Sequence, residues 1–97
     1  MNSKLYDDNI KRLFAAFLAL ENEAECRDFL DDLCTISEIR SMAQRLEVAS
    51  LLKKGAIYSD IAEKTGASTA TISRVSRCLN YGNDGYTKIL DRLGEVQ

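Results

Sequence analysis

Between Tyr58 and Arg77 the chain reads YSDIAEKTGASTATISRVSR, and its side chains suit contact with a polyanion. From Lys64 to Asn83 there are three basic residues and no acidic one. On a helix through this stretch, Thr69, Ala70, Ser73, Arg74 and Arg77 lie opposite Ile72, Val75 and Leu79, giving an outward face that is small at its start and basic at its end. Small side chains let a helix end enter a major groove. Threonine methyls can meet thymine methyls, hydroxyls can bond phosphates or base edges, and arginine can pair with guanine or phosphate. Ser68, Thr69, Ala70, Thr71, Ser73 and Arg74 are therefore the expected DNA contacts, and Lys53, Lys54, Lys64 and Arg77 the expected phosphate contacts.

The same stretch has the mechanics of a helix-turn-helix. Two short helices crossing steeply need a small residue at their closest approach, which Ala62 supplies. The turn needs a residue that accepts positive φ, and Gly66 follows four residues later. Ile61, Ile72 and Val75 then fill the angle between the helices. The competing explanation is an ordinary two-helix corner with a solvated polar face, and the absence of acids beyond Glu63 favours DNA.

Other chemistry finds little support. The chain has no histidine, the commonest general base, and no pair of carboxylates in a catalytic pattern, so the protein is not expected to be an enzyme. Its cysteines, Cys26, Cys34 and Cys78, are odd in number and widely spaced, unlike the paired ligands of a zinc site; no metal and no cofactor are expected. They read as small hydrophobes in helices.

The formal net charge of -2 does not advertise nucleic-acid binding. Residues 1–34 carry four basic and eight acidic side chains, whereas residues 35–97 carry nine basic and seven acidic. A duplex responds to the field of the docking face, screened beyond about 10 Å, more than to total charge. At 97 residues, 29% charged and 45% hydrophobic, the composition is that of one small soluble domain. No apolar run approaches the roughly 20 residues of a membrane span. The opening MNSKLYDDNIKRL has no signal-peptide core, so a cytoplasmic location is expected.

Six helices and no sheet are expected to position the motif. The first, about Asp8 to Leu20, aligns Ile10, Leu13, Phe14, Phe17 and Leu18, yet FAAFLAL (14–20) is apolar around most of its circumference. The second spans about Asn22 to Cys34, with Cys26, Phe29, Leu30 and Leu33 on its apolar side. TISE (35–38) has the form of a capping box. It opens a third helix to about Lys54, with Ile39, Met42, Ala43, Leu46, Ala49 and Leu52 inward and Gly55 as a left-handed cap. A fourth, about Ser59 to Thr65, precedes Gly66. Ser68 caps a fifth from Thr69 to about Leu79, ended by Asn80 and Gly82. A sixth, about Tyr86 to Leu93, packs Ile89, Leu90 and Leu93. A many-sided apolar first helix needs more cover than one short chain gives, which favours a homodimer over a monomeric bundle.

TISEIRSMAQR, LLKKG and GASTATISR, within residues 35–79, resemble the tryptophan repressor superfamily, most closely its small YerC/YecD-type branch. The resemblance covers about half the chain. It implies an all-α, six-helix Trp-repressor-like fold within a single domain (residues 1–97). Residues 1–54 would be dimerisation helices interlocking in an intertwined homodimer, 58–79 the helix-turn-helix and 84–94 the C-terminal helix. Two such heads would lie about 34 Å apart, one turn of DNA.

The resemblance also implies a ligand pocket. Arg45 and Arg74 match the two arginines that enclose the tryptophan ring in that family, and Thr35 matches another pocket residue. Where tryptophan-binding members have a glycine after the recognition-helix arginine, this chain has Val75, and Cys78 replaces a serine. The linker between Gly55 and Gly66 is one residue shorter. Val75 also serves as a core plug, and such filling is expected to remove the ligand space, leaving at most a vestigial pocket of Thr35, Arg45, Arg74, Val75 and Cys78. The expected function is a sequence-specific, homodimeric transcriptional regulator, a repressor, acting on double-stranded DNA without tryptophan. The alternatives are a repressor with a different small-molecule effector and a helical protein-interaction module without DNA readout.

Overall fold

The structure, a computed structural model, describes residues 7–94. Among these are six α-helices and no strand. The chain divides into two compact units at the Thr35–Ile36 junction.

The first unit holds α1 (Asp8–Leu18) and α2 (Glu23–Leu33). Each starts at a polar cap. The Asp7 carboxylate accepts a hydrogen bond from the Ile10 amide at 3.0 Å, and the Asn22 side chain accepts one from the Glu25 amide at 2.9 Å. Glu25 in turn accepts from the Glu21 amide at 3.0 Å, so donors around the start of α2 are satisfied from two sides. Phe17 and Phe29 meet edge to face, 5.5 Å between ring centres. α1 stops at Leu18, two residues short of the sequence expectation, and Leu20 lies beyond its cap. No residue of α1 or α2 is buried, and Leu18 is 87% exposed.

The second unit is built on α3 (Ile36–Lys53), which packs against α4 (Tyr58–Thr65), α5 (Thr69–Tyr81) and α6 (Gly85–Leu93). Val48, Ala49 and Ser50 are buried in succession. Three consecutive helical residues point in three directions, so this part of α3 is enclosed on several sides. Around it gather Ile61 of α4, Ala67 of the turn, Ile72 and Val75 of α5 and Leu90 of α6, with Leu46, Leu52, Leu79 and Tyr86 packed against them. Met42 and Ala43, expected inward, are exposed, because the core lies along the C-terminal half of α3 and these two precede it.

The end of α3 is a left-handed cap. Gly55 has φ 87°, its amide bonds the Leu52 carbonyl at 3.0 Å, and the Ala56 amide bonds the Leu51 carbonyl at 3.0 Å. This is the Schellman arrangement, and both Leu51 and Ala56 pack against the core.

The end of α5 departs from expectation. Asn80 does not stop the helix, which runs on to Tyr81. The stop is Gly82, whose amide bonds the Cys78 carbonyl at 2.9 Å. A Cβ at Gly82 would stand 2.4 Å from that same oxygen, so the chain can leave the helix this closely only without a side chain.

Ile72 is fully buried at the centre of this core. Ile72→Ala is expected to lower unfolding free energy by about 2–5 kcal/mol, and Gly66→Ala, at φ 74°, by about 1–2 kcal/mol. Urea denaturation followed by circular dichroism measures both.

Candidate nucleic-acid interface

The corner between α4 and α5 is fastened by hydrogen bonds of two side chains, Thr65 and Gln44, by a left-handed glycine and by apolar packing. Gly66 adopts the left-handed conformation (φ 74°, ψ 5°), and its amide bonds the Ala62 carbonyl at 2.9 Å. The Thr65 hydroxyl donates to the Ile61 carbonyl at 2.7 Å and accepts from the Ala67 amide at 3.1 Å. From α3, the Gln44 amide group donates to the Thr65 carbonyl at 3.1 Å, tying the end of α4 to the spine. Ile61 and Ile72 are wholly buried and Val75 is 1% exposed, so all three fill the angle as their spacing predicts. Ala67, 5% exposed, belongs to the same core. Sequence reasoning missed it because a single alanine beside a glycine carries no periodic signal.

α5 then presents its N-terminus. The Ser68 hydroxyl accepts from the Thr71 amide at 3.1 Å and donates to the Thr71 hydroxyl at 3.1 Å. Ser68 is thus the expected cap, and the two hydroxyls are engaged with one another. Thr69 and Ala70 are exposed beside them, Ser73 is half-buried, and Arg74 and Arg77 are exposed further along. The first turn of α5 has no acidic residue of its own to offset its positive dipole end.

The expected phosphate-contacting lysines fall at helix ends. Lys53 is the last residue of α3 and Lys54 follows it; Lys64 lies in the last turn of α4. All three are exposed. Lys54 and Lys64 line a common cleft of about 370 Å³ with Glu47 and Ser50, and Lys53 lies outside it.

Arg45 and Arg74 face a second cleft, of about 450 Å³, with Val75, Cys78, Met42, Leu46 and Tyr86 on its walls. Four of the five residues expected around a ligand pocket therefore converge, and Thr35 is not among those lining it. Val75 is 1% exposed, packs in the core with Ile61 and Ile72, and also lines this cleft between the flanking arginines. No acidic residue lines it. An apolar groove of about 490 Å³ adjoins it, sharing Leu46, Cys78 and Tyr86 and running on to Ile89.

The chain as a whole is similar to known proteins. The family model of the Trp repressor protein matches residues 8–94. The chain is 56% identical over 94 residues to "Uncharacterized protein YerC" of Bacillus subtilis (strain 168), covering 97% of this chain and 90% of that protein. The crystal structure of a TrpR-like protein from Eubacterium eligens ATCC 27750 superposes with a TM-score of 0.94 at 55% identity, over 99% of both chains. A crystal structure from Staphylococcus aureus gives 0.91 at 54% identity, over 95% of this chain and 92% of the other. The family match over residues 8–94, the sequence identity and the structural likeness agree, and the chain belongs to the Trp repressor family.

Proposed function

We propose that the protein is a sequence-specific DNA-binding transcriptional regulator, a repressor in the cytoplasm, that works as a homodimer and does not need tryptophan. The observation that carries this reading is the outward side of α5. It is small at the tip, carries Arg74 and Arg77 further back, lacks acids throughout, and is held rigidly by the buried corner of Ile61, Ile72 and Val75. In this reading Thr69, Ala70, Ser73 and Arg74 contact DNA at the groove, and Arg77 and the helix-end lysines Lys53, Lys54 and Lys64 contact phosphates. Ser68 and Thr71 hold the tip in shape and offer their remaining hydrogen-bonding capacity to the backbone.

The homodimer is supported by the first unit. Phe14, Phe17, Leu18 and Leu33 are all large, apolar and exposed in the single chain, the kind of surface that contact with a partner covers. A second copy would cover it and would set two recognition helices on successive major grooves.

Independence from tryptophan is supported by Val75. In the tryptophan-binding relatives that position is a glycine, and here a branched side chain stands on the cleft wall where a flat ring would slide in. A second reading, in which a different small molecule gates DNA binding, is favoured by the open cleft between Arg45 and Arg74.

Arg77→Ala is expected to weaken binding to every duplex and to reduce the slope of log K against log salt by about 0.9, as follows when one fewer phosphate is neutralised. Fluorescence anisotropy on labelled duplex at several salt concentrations reads this directly. An unchanged slope would remove Arg77 from the interface, and absence of binding by the folded wild-type protein at low salt would overturn the DNA-binding reading. Calorimetric titration with L-tryptophan is expected to give no saturable heat in the micromolar range, and such binding would contradict independence from the amino acid.

A further inference from the structure

α5 is longer than its sequence suggests, and the extension adds a residue to its outward side. At 100° per residue, Ala70, Arg74, Arg77 and Tyr81 recur at i, i+4, i+7 and i+11, one continuous stripe. This stripe lies opposite the buried Ile72 and Val75. Tyr81 ends the helix and is 86% exposed, among the most open large side chains in the structure. The helix ends directly after it, where the Gly82 amide bonds the Cys78 carbonyl at 2.9 Å.

We propose that Tyr81 is a DNA-backbone contact, its phenolic hydroxyl donating to a phosphate oxygen at the far end of the recognition helix. This rests on the reading of α5 as the DNA-reading helix. Tyr81 lies about 16 Å along the axis from Ala70, at 1.5 Å per residue. A major groove is about 8.5 Å deep, so when the tip of α5 meets base edges, a residue that far back lies out at the level of the sugar-phosphate rim. Tyrosine hydroxyls are regular donors to phosphate oxygens. Lys64 to Asn83 contains no acid; the first one beyond Tyr81 is Asp84, outside α5. A neutral donor at the end of a basic stripe fixes how far the helix enters without adding another charge.

The test compares wild type with Tyr81→Phe, which removes only the hydroxyl, on fluorescein-labelled random-sequence duplex and on the sequence the protein selects. The expected result is about three- to tenfold weaker binding to both duplexes, with the salt slope unchanged because the variant keeps every cation. Sedimentation equilibrium on the same samples is expected to show the same oligomeric state for both proteins. Wild-type affinity in Tyr81→Phe overturns the proposal, as does a loss confined to the selected sequence or a changed oligomeric state. If wild type binds duplex and Tyr81→Phe binds it equally well, this inference alone fails. If folded wild type binds no duplex, the DNA-binding reading fails with it.

Discussion

The angle between α4 and α5 depends on a single apolar contact set, Ile61 against Ile72 and Val75, seated on Val48 and Ala49 of α3. These side chains are essentially removed from water, each contributing about 1.5–3 kcal/mol of burial for the larger ones. Hydrogen bonding then sets the turn that lets them meet. Gly66 supplies the left-handed residue, and Thr65 closes the end of α4 while Gln44 holds it to the spine. The outward side of α5 needs no packing of its own. Its direction is a consequence of what its inward side buries, which leaves its composition free to answer to a ligand.

Much of this was legible in the sequence because it rests on local rules. The plugs Ile61, Ile72 and Val75 repeat at helical spacing, Gly66 and Gly55 mark left-handed caps, and Ser68 precedes a helix whose first amides need acceptors. Residue patterns in YSDIAEKTGASTATISRVSR therefore carry the corner almost whole. The resemblance of TISEIRSMAQR, LLKKG and GASTATISR to the tryptophan repressor superfamily agrees with the family match over residues 8–94.

What was missed depends on tertiary surroundings. Val48 lies off the apolar stripe read from α3, yet it is buried because helices pack on more than one side of that segment. Met42 and Ala43 fit the stripe and are exposed because the core does not reach them. Asn80 is a common helix terminator, but the next residue that forces a turn is Gly82, and propensity alone does not rank the two. The cleft beside Val75 was expected to be closed. A residue's volume does not tell which neighbours it meets, and here Val75 both packs in the core and lines that cleft.

If the outward side of α5 reads base sequence as one of a symmetric pair, the purified full-length protein should select a defined site from random duplex DNA. The expected product of that selection is an inverted repeat whose half-sites are centred about one helical turn apart, obtained without added tryptophan. Recovery of no enriched sequence by folded protein would contradict it.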